Sequence, residues 1–170
     1  MYFKRLLLLI TVLGLAPTCA FAEEVTIITM CQLLADPGAY NHKLIQVTGR
    51  ISRGFEDFTI HESCHSPDTV WLEIGGTTGS EVVYCCGVTA KPKRPGPLVV
   101  EDIETSLVQD AAFKKFQTLT KHYGTAKATI IGRYFSGTQR TFPGGTYWVG
   151  YGHMGIGSLL VIQQVVSVQQ

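Results

Sequence analysis

Segments of period two and one segment of period 3.6 follow one another in an order that few small folds accommodate. In Leu44-Ile45-Gln46-Val47-Thr48-Gly49-Arg50-Ile51, residues Ile45, Val47 and Ile51 share one face, while Gln46, Thr48 and Arg50 share the other. That alternation marks a half-buried strand, and Gly49 within it marks a bend or bulge. Phe58-Thr59-Ile60 and Val70-Trp71-Leu72-Glu73-Ile74 continue the pattern as two further strands. Ser106 to Tyr123 then places Val108, Ala112, Phe116, Leu119 and Tyr123 at spacings of three and four, the apolar face of a helix. Ser106 and Gln109 make a capping box at its start, and Gly124 supplies its stop. Ala128 to Phe135 and Leu159 to Val168 read as strands, the latter rich in β-branched residues. Three strands, a helix and two strands is the order of an OB-fold, a five-stranded Greek-key barrel with the helix between strands three and four. The expected class is therefore mainly β and OB-fold-like. Val47-Thr48-Gly49-Arg50 and Ile130-Ile131-Gly132-Arg133 put Gly-Arg at the same point of strands one and four. These strands are neighbours in such a barrel, so the reading pairs the two glycines at a common bend.

Two elaborations decorate this frame. Thr29 and Gln32 form a capping box for a short N-terminal helix that ends by Asp36-Pro37. Residues 75–105 read as a hairpin-like insertion, with Val82-Val83-Tyr84-Cys85 and Leu98-Val99-Val100 as short strands. Between them, Lys91-Pro92-Lys93-Arg94-Pro95-Gly96-Pro97 is expected to be a solvated, extended loop with no packed role.

The N-terminus points to export. Lys4 and Arg5 precede the apolar run Leu6 to Leu15, and Ala20-Phe21-Ala22 offers small residues for cleavage after Ala22. Residues 1–22 thus read as a secretory signal peptide, and 23–170 as a single domain with no transmembrane anchor, periplasmic or secreted. Losing Lys4 and Arg5 leaves twelve of the fourteen basic residues against thirteen acidic ones. With no basic surplus to displace counterions, generic nucleic-acid binding is disfavoured. Four cysteines remain: Cys31, Cys64, Cys85 and Cys86. In an exported chain they favour disulfides, and adjacency argues against a Cys85–Cys86 bond. Bridges from Cys85 and Cys86 to Cys31 and Cys64 would avoid that strain, but the sequence leaves the pairing open.

Gly150-Tyr151-Gly152-His153-Met154-Gly155 satisfies the G-x-G-x-x-G dinucleotide pattern. The fingerprint needs a helix after it to hold the pyrophosphate, and an acid about 20 residues onward for the ribose. A strand pattern follows instead, and the chain holds no acid there. What remains is a glycine- and aromatic-rich loop, residues 136–157, joining the last two barrel strands. OB-folds bind ligands on the face of strands two and three and on this loop. Trp71, Arg140, Tyr147, Trp148, Tyr151 and His153 are accordingly the candidate ligand-binding residues. The alternative is that Trp148 and Tyr151 fold back to cap the barrel as ordinary core.

His61-Glu62-Ser63-Cys64-His65 suggests a second chemistry. His61, Cys64 and His65, with Cys85 or Cys86 brought near, could hold zinc tetrahedrally. The compartment favours disulfides over that site. No cofactor is otherwise expected, and nothing marks a catalytic residue. Ser158 lacks a nucleophile elbow, and Glu101-Asp102-Ile103-Glu104 reads as a solvated acidic approach to the helix.

Several of these motifs together resemble an uncharacterised family of secreted bacterial proteins. They are Cys31-Gln32-Leu33-Leu34 with Pro37, Tyr40, Lys43 and Val47-Thr48-Gly49; Trp71-Leu72-Glu73; Gly132-Arg133-Tyr134-Phe135; and Gly152-His153-Met154-Gly155 with Leu160-Val161-Ile162-Gln163. The resemblance implies an exported, single, OB-like domain and carries no activity to any residue. The expected function is a non-catalytic binding module for an envelope protein or a glycan-like ligand. A zinc-binding protein and a structural envelope protein are the alternatives.

Overall fold

The computed structural model describes residues 23–54, 56–64, 68–82, 93–121 and 123–170. Residues 1–22, the expected signal peptide, lie outside the described residues, as do His65, Cys86 and Val83 to Cys85 of one expected strand.

Among the described residues, fourteen elements follow one another in chain order. They are β1 (Thr26–Ile27), α1 (Met30–Ala35), a 3-10 turn (Pro37–Tyr40), β2 (Leu44–Arg53), β3 (Phe58–His61) and β4 (Val70–Ile74). After the insertion come β5 (Leu98–Val100), β6 (Ile103–Thr105), α2 (Ala111–Thr120) and β7 (Thr125–Phe135). A hairpin of β8 (Thr138–Phe142) and β9 (Gly145–Val149), a second 3-10 turn (His153–Gly155) and β10 (Ser158–Gln169) complete the chain. Five strands close a barrel in the order β2-β3-β4-β10-β7, with β7 returning to β2. Every pairing within the barrel is antiparallel except β4 with β10, which is parallel. That is the OB arrangement, with α2 between the third and fourth barrel strands as expected.

Alternation fills the barrel. Ile45, Val47 and Ile51 of β2, Phe58 and Ile60 of β3, and Val70, Leu72 and Ile74 of β4 all enter one core. Leu160 and Ile162 of β10 and Ile130 of β7 meet them there. Burying side chains of this size contributes about 1.5–3 kcal/mol apiece.

Helix α2 closes one end with Phe116 and Ala112 of its expected face against the core, although its limits and the rest of that face differ. Asp110, rather than Ser106, caps it: its carboxylate accepts from the Phe113 N–H at 2.9 Å. The buried residues are Phe113, Phe116 and Thr120. Val108 precedes the helix, and both it and Tyr123 are exposed. Tyr123 is left-handed at φ 67°, so the chain has already left the helix before Gly124. At the other end of the sequence, the Thr29–Gln32 capping box is present in both directions and α1 buries Met30 and Leu33. A disulfide joins Cys31 of α1 to Cys64 after β3, a separation of 33 positions along the chain.

Gly49 and Gly132 are on neighbouring strands but do not face each other. Gly49 stands opposite Ala128, and Gly132 opposite Ile45. Each is instead the point where its own strand runs tight against a third. A Cβ on Gly49 would lie 2.6 Å from Ile60 of β3, and one on Gly132 would lie 2.4 Å from the Val161 carbonyl of β10. The bends are thus separate, one towards each adjoining strand.

The insertion is a β5–β6 hairpin whose start is pinned from beneath. Arg94, expected in a solvated loop, is buried and reaches back to β4. Its guanidinium donates to Glu73 Oε1 at 2.9 Å, to the Ile74 carbonyl at 2.8 Å and to the Thr78 carbonyl at 2.6 Å. Glu73, fully buried, also accepts from the Ile74 and Ser80 N–H groups, each at 2.8 Å, and from the Ser80 hydroxyl at 2.7 Å. Arg53 donates to the Ser80 carbonyl from the side of β2. A buried charge survives only when paired and fully hydrogen-bonded, and here both conditions are met.

Candidate functional site

Residues 136–157 are more ordered than a flexible connector. β8 and β9 form a hairpin in which Arg140 faces Tyr147 and Phe142 faces Gly145. The chain then makes a tight turn and enters β10. The turn is closed by its own backbone: Gly150 N–H donates to the Gly155 carbonyl at 2.8 Å, and Gly157 N–H to the Trp148 carbonyl at 3.0 Å.

The G-x-G-x-x-G stretch lies across Trp71, on the outer face of β4. Trp71 is buried, and its indole N–H donates to the Ile156 carbonyl at 2.8 Å. Gly152 has φ 77°, and a Cβ there would stand 2.1 Å from the indole ring. The motif therefore makes a lid whose backbone rests on a tryptophan. This outer face of the third barrel strand is where an OB-fold ligand would ordinarily stack. Here the protein's own turn occupies it. Met154 and Ile156 point outward from the lid and are exposed.

Tyr151 continues the lid inward. With Trp71, Leu98, Val100, Phe135, Leu159 and Val161 it forms a second apolar cluster on the outside of the barrel wall. Trp71 and Tyr151, two of the candidate ligand contacts, are therefore buried in this packing, whereas Trp148 is half-buried.

The Tyr151 hydroxyl escapes that cluster by donating to Glu101 Oε1. Glu101 Oε2 in turn lies 2.5 Å from His42 Nε2. The carboxylate expected to be a solvated approach to the helix is therefore the hub of a His42–Glu101–Tyr151 cluster. Three parts of the chain meet there: the turn before β2, the β5–β6 turn and the lid. His42, Glu101 and Asp102 all have left-handed backbones, at φ 62°, 48° and 63°. Non-glycine residues hold such conformations at a cost of about 1–3 kcal/mol each, and only where surroundings over-determine them. Arg133 completes the junction, donating to the His42 carbonyl at 2.7 Å and pairing with Glu23.

Burial alone would raise the Glu101 carboxyl, but the hydrogen bonds from Tyr151 and His42 outweigh it and hold it below the ordinary glutamate value. Burial first, and the Glu101 carboxylate second, push the Tyr151 phenol up, so it stays a donor across the accessible pH range. A carboxyl depressed on folding stabilises the native state above its unfolded pKa and loses that contribution as pH falls through the folded value. The stability gap between wild type and Glu101→Gln is therefore expected to be present near about pH 6 and to close towards about pH 3. Thermal melts of both proteins across that range check it, and a gap that widens on acidification contradicts it.

The remaining candidates are scattered. Arg140 is exposed, and Tyr147 is half-buried against Phe142, with ring centroids 6.2 Å apart. Trp148, on the opposite hairpin face, packs over Gly38 and roots the hairpin to the first 3-10 turn. His153 lies 3.8 Å from Glu56 of the β2–β3 loop. The zinc alternative loses a ligand, because the Cys64 sulfur is bonded to Cys31 and offers no thiolate. Among the described residues no group of three or more His, Cys, Asp or Glu could hold a metal ion. No helix there is long and apolar enough to cross a membrane.

His42 and Glu56 had no sequence signal, and Glu101 had only that of an acidic run. They belong to segments far apart in the chain, and only the barrel's closure brings them to the lid. Neither family models, curated proteins nor solved structures give a match to this chain.

Proposed function

We propose that this protein is an exported, non-catalytic OB-like binding module that engages its partner through the β8–β9 hairpin. The observation that carries the reading is the placement of the hairpin's side chains. Every residue from Thr138 to Thr146 is exposed, so the barrel's own packing does not require them. Alternation sets Arg140, Phe142 and Tyr147 on one face, a cation beside two aromatic rings. A two-stranded hairpin gains little stability by itself, so aromatics held out on one serve contact better than folding. In OB-folds the loop between the last two strands is a customary ligand arm. Residues 136–157 also contain Arg140 and His153 and no acidic residue, which favours a partner with negative charge.

The triple substitution Arg140→Ala, Phe142→Ala and Tyr147→Ala separates binding from folding. Its stability is expected to stay within about 1 kcal/mol of wild type, since no core contact is lost. Photo-crosslinking from position 140 in an envelope extract, together with a glycan array, reads out binding. A specific adduct or glycan signal lost in the remaining double substitution Phe142→Ala and Tyr147→Ala supports the reading. An identical profile in both proteins overturns it.

A further inference from the structure

Away from the Trp71 cluster, the outside of the barrel wall formed by β2, β7 and β10 is polar, and one row across it carries like charges. Arg50 stands directly opposite Lys127 on one side and His61 on the other, with Gln169 opposite Lys127 beyond. All four are exposed. Like charges facing each other across strands destabilise a sheet. Among the described residues neither Arg50 nor Lys127 has an ion-pair partner to offset that cost. The adjacent row is hydroxylic: Thr48 and Thr129 share a 2.9 Å hydrogen bond, and Ser167 faces Thr129.

Two shallow clefts flank the charged row and share Lys127 and Gln169. One, of about 220 Å³, takes in Arg50, Glu62 and Thr125. The other, of about 120 Å³, takes in Thr48, Thr129 and Ser167. No aromatic ring lines either, so a stacked base or an apolar side chain has no platform there. A chain of sugars fits better. Its hydroxyls meet Thr, Ser and Gln groups that can both donate and accept, with Glu62 as a further acceptor. An anionic substituent meets the Arg50 fork and the Lys127 ammonium together, which relieves their mutual repulsion.

We infer that the Arg50–Lys127 row is a subsite for an acidic polysaccharide, whose carboxylate or phosphate group sits between the two cations. It lies on the barrel wall and does not depend on the hairpin reading.

Calorimetric titration of the mature chain with a galacturonate oligomer, a sugar-phosphate oligomer and neutral dextran tests it. Arg50→Gln and Lys127→Gln are each expected to weaken binding of the acidic oligomer by about tenfold or more, and the double variant to abolish it. Binding should also weaken as salt rises. Uronate binding lost in the double variant assigns the substituent as a carboxylate. Loss confined to the sugar-phosphate oligomer assigns it as phosphate. Equal binding of dextran, no binding of either acidic oligomer, or binding unchanged in the double variant overturns the inference. A double variant that melts below wild type also overturns it, because the charged pair would then support the fold itself.

Discussion

Arg94→Ala is expected to lose about 3–5 kcal/mol of folding stability, the usual consequence of breaking a buried ion pair from one side. The substitution leaves the Glu73 carboxylate fully buried beside the Ile74 and Ser80 N–H groups with its salt-bridge partner gone. It also strips a donor from the Ile74 and Thr78 carbonyls. Arg94→Lys is expected to recover only part of the loss. One ammonium cannot reach two carbonyls and a carboxylate along the directions that the planar guanidinium spans. Urea denaturation of the two variants, with Glu73→Gln to complete a double-mutant cycle, measures the coupling. A loss below about 1 kcal/mol for Arg94→Ala contradicts this expectation.

The lid carries the second large effect. Gly152→Ala is expected to cost about 2–6 kcal/mol, from two sources that add. An alanine at φ 77° bears backbone strain of about 1–3 kcal/mol. Its Cβ must also be cleared from an indole ring 2.1 Å away, and overpacking of this kind costs about 1–3 kcal/mol. Trp71→Ala is expected to cost about 3–5 kcal/mol, by leaving a cavity under the turn and losing the hydrogen bond to the Ile156 carbonyl. The two changes should not add in the Gly152→Ala, Trp71→Ala double variant, because the cavity relieves the clash. Gly96→Ala, with no heavy atom within 4 Å of the new methyl, is the control and should stay within about 0.5 kcal/mol. Additive losses in the double variant would mean that the lid does not rest on Trp71.

Much of the frame was legible in the sequence because it rests on local periodicity. Val70 to Ile74 forms a strand over its expected residues, and Thr29 and Gln32 cap α1 as expected. The helix between strands three and four was also legible, with Phe116 on its buried face, yet its limits and the burial of Phe113 and Thr120 were not. Asp110 competes for the cap through a single side-chain hydrogen bond that periodicity cannot weigh against Ser106. The G-x-G-x-x-G stretch shows the same division. Its failure as a phosphate cradle follows from the strand after it, but its use as a lid depends on Trp71, some eighty residues earlier. Arg94 looked solvated because three prolines and two lysines surround it, and the acid that buries it is on another strand. Glu101 looked like part of an acidic run, although its neighbours in space are His42 and Tyr151.

The sequence by itself determined the order of strands and helix, and with it the OB barrel, since alternation and capping act over a few residues and are written in them. Which polar groups became partners was decided only by the tertiary structure. Glu73–Arg94, His42–Glu101–Tyr151, Arg50–Lys127 and the Trp71 lid all join residues whose separation along the chain is erased by closing the sheet. Short-range periodicity specifies which face a residue takes, whereas a charge or an indole finds its partner through space, and no local pattern encodes that distance.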